Sequence, residues 1–268
     1  MYEDLLLEAK TEEEAVKRLA KIISLLRSEE GCPWDKEQTH ESLRSCLIEE
    51  AYEVVEAIDN KDWDNLEEEL GDVLLQVIFH SDLGREEGKF DLKSIANREC
   101  DKMIRRHPHI FSNFKVDSID TVVERWENMK QREAKISYTE SMERIPKSLP
   151  ALRKSYKVQE KAAQVGFDWD DVDSAFEKIT EETKELIEAY KTRSQATIFE
   201  ELGDLLFAVV NVARFLQVDP EDALNFASQK FIRRFSYIEN SAKEEGRRLE
   251  DLTLTEMDKL WEDSKALD

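Results

Sequence analysis

Structure breakers are scarce in this 268-residue chain, which has 7 glycines and 5 prolines, well below the usual frequencies of about 7% and about 5%. Alternating apolar–polar runs are missing too, so a sheet of short, turn-linked strands is excluded. With Glu, Lys, Leu and Ala abundant, the expected fold class is all-α. The three cysteines (Cys32, Cys46 and Cys100) are odd in number and match no metal spacing; reduced thiols and a cytoplasmic location are expected. No apolar stretch approaches the ~18 residues of a membrane span, and the acidic start is unlike a signal peptide. Positive charge is in deficit, with 39 Lys and Arg against 61 Asp and Glu, a net charge of −22. That balance opposes nucleic acid and anionic membranes as partners. A phosphate ligand would need local cations or metal ions to reverse the sign. Hydrophobic residues, at 40%, suffice for a core, so wholesale disorder is not expected.

What is present is present twice. "EELGDVLLQVI" at 68–78 returns as "EELGDLLFAVV" at 200–210. Glu182, Glu185, Glu201 and Asp204 each lie 132 residues after Glu50, Glu53, Glu69 and Asp72. Gly71 and Gly203, Glu49 and Glu181, and Ala57 and Ala189 keep the same spacing. Further on, "DKMIRR" (101–106) resembles "QKFIRR" (229–234), and "ERWENMK" (124–130) resembles "KLWEDSK" (259–265). A tandem repeat of one helical-bundle unit follows: residues 1–135, a proline-bearing linker at 136–149, and residues 150–268. Each unit is small enough that pairing would help bury its apolar faces.

At ~100° per residue, the helix near 40–58 carries an apolar stripe of Leu43, Leu47, Ala51, Val54 and Ile58. Glu50 falls on its border, with Glu53 one step further round. On the next helix Leu66, Leu70, Val73 and Val77 form the stripe, with Glu69 and Asp72 at the same two angles. Leu75, Ile78 and Phe79 lie on the far side, and Gly71 would let another helix approach closely. The short connection between the helices predicts an antiparallel pair. In the second copy Glu182 shares a stripe with Ile179 and Leu186, and Glu201 with Ile198, Leu202 and Leu205. Two pairs of carboxylates then face each other at a core edge, each contact within about 4–6 Å repelling by up to about 4 kcal/mol at an effective dielectric of about 20. Protonation or a cation must relieve this. Oxygen-only ligation suits Mg²⁺, with Mn²⁺ as the alternative, rather than zinc. A Glu pair on an acidic helix is ordinarily a solvated face; its repetition at one spacing beside a core favours a metal role.

Residues 32–58, "CPWDKEQTHESLRSCLIEEAYEVVEAI", then "EEELGDVLLQV", resemble the MazG family of nucleoside triphosphate pyrophosphohydrolases. The family pattern EExxE followed by ExxD reads Glu49-Glu50-x-x-Glu53 with Glu69-x-x-Asp72, and Glu181-Glu182-x-x-Glu185 with Glu201-x-x-Asp204. "LPALRKSYKVQEKAAQVGFDW" (149–169) is similar to the entry of the second domain in two-domain members. The resemblance implies an all-α homodimer that hydrolyses nucleoside triphosphates to monophosphate and pyrophosphate with Mg²⁺, and a second domain that is the better-supported catalyst. It implies Glu182, Glu185, Glu201 and Asp204 as catalytic metal ligands, and Glu50, Glu53, Glu69 and Asp72 as their first-copy equivalents. Lys230 and Arg234 match "KFxxRF" and would meet phosphate; Lys102 and Arg106 are their counterparts. Trp261, with Trp126 as its partner, matches a tryptophan near the nucleotide. For these two, and for Trp34 and Trp169, a plain core aromatic is the alternative to base stacking. Thr197 and Asn65 depart from the family, which can carry a lysine four residues before the ExxD glutamate.

Narrower relatives, a dUTP or phosphoribosyl-ATP pyrophosphatase, share this helical pattern, and a non-catalytic nucleotide-sensing module is the remaining alternative. "GREEGKF" (84–90) has the wrong spacing for a phosphate loop. "HPH" (107–109) reads as an exposed turn. No G-x-S-x-G elbow, Nudix box or aromatic-interleaved basic patch is present.

Overall fold

A computed structural model describes residues 3–111 and 136–267. The chain divides into two compact units, Met1–Met129 and Lys130–Asp268. The described residues form helices and contain no strand. Unit one comprises α1 (Glu3–Leu6), α2 (Glu12–Leu26), α3 (Pro33–Glu37), α4 (Arg44–Asn60), α5 (Trp63–Glu86), α6 (Leu92–Arg106) and α7 (Pro108–Phe111). Unit two comprises α8 (Tyr138–Glu143), α9 (Ala151–Ala163), α10 (Val172–Thr192), α11 (Gln195–Phe215), α12 (Pro220–Glu244) and α13 (Leu254–Ser264), with short 3₁₀ turns around α13.

Polar caps set where the helices begin. Thr11, Asp62 and Asp91 in unit one, and Ser137, Asp171, Ser194, Asp219 and Thr253 in unit two, each accept a hydrogen bond from a first-turn amide. The two acidic helices of each unit form a hairpin with a minimal turn. Lys61 and Arg193 end α4 and α10 in the left-handed region, at φ 55° and 56°, and the next residue, Asp62 or Ser194, caps the following helix. So tight a turn forces the antiparallel pairing the sequence predicted.

Each hairpin is backed by one helix from its own unit, α2 against α5 and α9 against α11. In unit one the core gathers Ile23, Leu43, Ile78, Phe79 and Leu83. In unit two Ile238, Ala242 and Leu252 form a cluster with Met257, Leu260 and Trp261 packed on it. The expected linker carries α8, which packs on α9, and Ile145 is buried.

Both apolar faces of α5 were expected to be covered; the side with Ile78 and Phe79 is buried, whereas the stripe with Leu70 and Val77 stays partly exposed within the unit. On α5 the buried side chains are Gln76, Ile78, Phe79, Ser81, Asp82 and Leu83, whereas Leu70 is 51% exposed. On α4 only Leu43 of the expected stripe is buried, and Ile58 is 52% exposed. An added Cβ at Gly71 or Gly203 would meet nothing within 4 Å, so neither glycine serves a close helix contact inside its unit. Periodicity located two apolar faces; it could not say which of them the chain itself covers.

Candidate metal and nucleotide site

The hairpins bring their acidic side chains together. In unit one an oxygen each of Glu50, Glu69 and Asp72 lie within 4.8 Å of one another, and in unit two those of Glu182, Glu201 and Asp204 do the same. Helical spacing explains this. Glu69 and Asp72, like Glu201 and Asp204, are three residues apart on one helix face, and the antiparallel partner helix brings Glu50 or Glu182 alongside. Glu53 and Glu185 stand close enough to act on these triads electrostatically.

Crowding shows in the acidities. Burial, followed by repulsion from Asp72 and contact with Glu53, raises the Glu50 carboxyl above its ordinary value. Burial raises Glu69, reinforced by Glu53 and Asp72. Burial also raises Glu201, reinforced by Glu185, Asp204 and Glu182. A cation among these oxygens would remove the repulsion, and an all-carboxylate donor set fits a hard divalent ion.

The two centres differ in their surroundings. Glu182 is buried at 5% exposure, and its Oε1 accepts an ion-paired hydrogen bond from Lys178 Nζ at 2.6 Å. Lys178 also reaches Glu181 at 3.0 Å. The hydrogen bonds to Glu182 and then Glu181 raise the ammonium well above its usual value. Lys178 was missed in the sequence, although it stands one helical turn before Glu182 and that spacing could have flagged it. Next to this centre, α9, α10, α11 and the loop after α9 enclose a cavity of about 630 Å³. Lys178, Glu182 and Asp204 lie at its wall, with Gln159, Phe167, Trp169, Phe207 and Asn211 among the other lining residues. Gly166 makes the loop possible by adopting φ +80° after α9. Arg214 pins the loop by pairing with Asp168 while donating to Asn211 Oδ1 at 2.9 Å.

The remaining expected residues are not among those lining this cavity. Lys230, Arg234 and Trp261 cluster on α12 and α13. The Arg234 guanidinium lies 5.6 Å over the Trp261 ring, and Phe231 packs 5.1 Å from that ring. Lys230 Nζ sits 5.9 Å over Phe226. In unit one Lys102 pairs with Glu99. Trp34 is 61% exposed, while Trp126 lies outside the described residues. His107 is no exposed turn: it caps α6, its Nδ1 lies 2.7 Å from the Met103 carbonyl, and both His107 and His109 are half-buried. The glycine pair at 84–88 cradles no phosphate either, because Gly84 is buried against the Phe90 ring.

Fold and site together define an all-α protein that presents, on a helical hairpin in each of two units, an acidic cluster able to hold a metal ion. The family profile described as "MazG nucleotide pyrophosphohydrolase domain" matches residues 38–111 and 171–238, and the chain belongs to that family. It is 46% identical over 252 residues to the nucleoside triphosphate pyrophosphohydrolase/pyrophosphatase MazG of Thermotoga maritima, covering 94% of this chain and 96% of that one. It is 41% identical over 256 residues to the nucleoside triphosphate pyrophosphohydrolase of Escherichia coli K12, covering 93% and 97%. It is also 50% identical over 245 residues to an uncharacterized Bacillus subtilis protein, YabN, covering 91% of this chain and 50% of that one.

Proposed function

We propose that this protein hydrolyses nucleoside and deoxynucleoside triphosphates to the monophosphate and pyrophosphate, with broad base tolerance, and that the second unit carries the chemistry. The observation that carries this reading is the convergence of Glu182, Glu201 and Asp204 within 4.8 Å beside a cavity large enough for a small molecule, in a chain of this family.

Glu182, Glu185, Glu201 and Asp204 would hold Mg²⁺, or Mn²⁺ in its place. The bound ion supplies charge neutralisation for the triphosphate, a more acidic water and stabilisation of the pyrophosphate leaving group. The protein's own contribution is positional. The hairpin fixes the carboxylates in advance of binding, so little reorganisation is needed. Lys178, anchored by Glu182, places a fixed positive charge at the same end of the cavity. Lys230 and Arg234 are proposed as further phosphate donors on α12, with Trp261 holding the plane of the Arg234 guanidinium. Glu50, Glu53, Glu69 and Asp72 would bind metal in the same way in unit one.

A homodimer is part of the proposal. The uncovered faces of both hairpins are apolar, with Ile187, Leu202, Leu206 and Val209 each 45–49% exposed in unit two. No helix among the described residues is long and apolar enough to cross a membrane.

Incubating the protein with Mg²⁺ and a panel of triphosphates tests the reaction. Monophosphate and pyrophosphate from many bases are expected. Cleavage of a single triphosphate would select the narrow-specificity alternative, and release of orthophosphate with diphosphate would reject attack at the α-phosphorus. Asp204→Asn should abolish most pyrophosphate release, a loss at least as large as the roughly 10–100-fold typical of groups that only support a metal ligand. Asp72→Asn should leave most of it. The opposite pattern would move the chemistry to the first unit.

A further inference from the structure

Away from the acidic centres, two histidines meet at the open end of the unit-one hairpin. His40 lies in the turn 38–43 that leads into α4, His80 lies on α5, and both are half-buried. Their Nδ1 atoms stand 2.7 Å apart. The rings are within 4° of parallel, with centroids 5.0 Å apart. Centroids that far apart with nitrogens that close require the nitrogens to lie on the line between the ring centres. The rings therefore meet edge to edge, and one Nδ1 donates while the other accepts. Two nitrogens on one zinc ion, at bonds of about 2.0–2.1 Å, stand roughly 3 Å or more apart, so this spacing suits a shared proton rather than a metal.

Such a contact tolerates one added proton and not two. A first proton turns the donor ring into an imidazolium and strengthens the bond. A second leaves both Nδ1 atoms as donors and sets two positive charges in contact. Burial, followed by the proximity of His40, lowers the His80 pKa below its ordinary value. A histidine depressed in this way adds stability that is complete above the ordinary value and is lost as pH falls through the depressed one. Glu87 Oε2, 4.0 Å from His40 Nε2, is the carboxylate that faces the pair. Charged groups on the surrounding elements engage one another. Glu87 pairs with Lys89 at 2.7 Å, and Glu41 in the turn also acts on Lys89. Arg27 on α2 pairs with Asp82 and Glu86, Arg85 pairs with Asp82, and Asp91 caps α6. Arg44, the first residue of α4, is exposed.

Unit two is built differently at this point. The residues 132 positions on are Val172 and Val212, the first half-buried and the second buried. There α10 begins at Val172 under an Asp171 cap, whereas α4 begins only at Arg44 and has no side-chain cap. The histidine contact thus stands where the second unit has a further helical turn and its cap.

We propose that His40 and His80 form a proton-operated clip. Intact near neutrality, it seats the turn 38–43 and the start of α4 against α5; acid opens it, an event without counterpart in unit two. This goes beyond the functional reading above and does not rest on it.

Hydrogen exchange of the full chain, corrected for the intrinsic effect of pH, tests the clip. Between about pH 7.5 and about pH 5, which brackets the ordinary histidine value, protection of residues 40–50 should fall roughly tenfold or more, the scale of one charge-assisted hydrogen bond. Protection of residues 172–182 should hold. His40→Val combined with His80→Val, which installs the unit-two pair, should remove the difference. Imidazole ¹⁵N spectra of the wild type give a second reading that needs no variant, since all 4 histidines of the chain lie in unit one. His40 and His80 should titrate as a coupled pair, with one step clearly below the ordinary value of about 6.5. Unchanged protection of residues 40–50, an equal loss in both units, a pH response that survives the double substitution, or two histidines titrating independently would each show that no clip is present.

Discussion

Glu201 carries a conflict between stability and function. Burial and its acidic neighbours Glu185, Asp204 and Glu182 raise its carboxyl above the ordinary value. A folded-state pKa above the unfolded one means that folding favours the protonated form. For the metal-free protein, this contribution to stability grows as pH falls through the raised pKa toward the ordinary carboxylate value. It is lost as pH rises to neutrality. With Mg²⁺ the sign reverses, because ligation needs the charged carboxylate. Glu201→Gln should therefore raise Tm of the metal-free protein at pH 7 and shrink the increment that Mg²⁺ adds. The wild-type increment should itself diminish on acidification. Thermal denaturation with chelator and with excess Mg²⁺, across pH, reads both effects; a metal-free variant less stable than wild type would show that no repulsion was being relieved. The acids themselves were legible because their chemistry needs a fixed spacing on consecutive helices. Gln159 was not, because its place among the cavity-lining residues depends on elements far apart in the sequence.

At the scale of elements, the turn between the acidic helices governs whether the carboxylates meet. Lys61 and Arg193 both occupy left-handed backbone, a conformation costing a non-glycine residue roughly 1–2 kcal/mol. Glycine would relieve that strain but loses more entropy on folding, about 0.4–1 kcal/mol. Arg193→Gly should thus stabilise the second unit by between about 0 and about 1.6 kcal/mol, read as a small rise in Tm, with pyrophosphate release unchanged. A fall in Tm would mean that the arginine side chain contributes more than its backbone costs. Helix existence, the hairpin and the doubling were all readable from the sequence, since scarce breakers, polar caps and a repeat at one spacing are local signals. Both faces of α5 were expected to be covered, and the chain itself buries one of them. Leu66, Leu70, Val73 and Val77 obey helical periodicity as well as Ile78 and Phe79 do, and only tertiary packing decides which set the chain covers.

At the scale of the whole molecule, the face left uncovered becomes informative. The hairpins keep Leu47, Ile58, Leu70 and Val77 in unit one, and Leu202, Leu206 and Val209 in unit two, more than a third exposed. Gly71 and Gly203 lie on these open surfaces with free space above them. A strongly charged protein gains nothing from contiguous apolar faces left in water, and patches of this kind ordinarily mark interfaces. A second copy of the chain is the partner proposed here, because both repeats retain the same uncovered stripe and a two-fold contact is self-complementary. Light scattering coupled to size exclusion should give about twice the 31.4 kDa chain mass. Leu206→Asp should shift the species toward monomer, and placing a charge in such a contact should lower Tm and make it depend on protein concentration. Gly203→Ala discriminates further. In an isolated helix alanine is favoured by about 1 kcal/mol, so a monomer would be stabilised. Where another helix crosses close over Gly203, the added methyl group would weaken association instead. A wild-type monomer that gains stability from Gly203→Ala would leave the apolar stripe without its proposed partner.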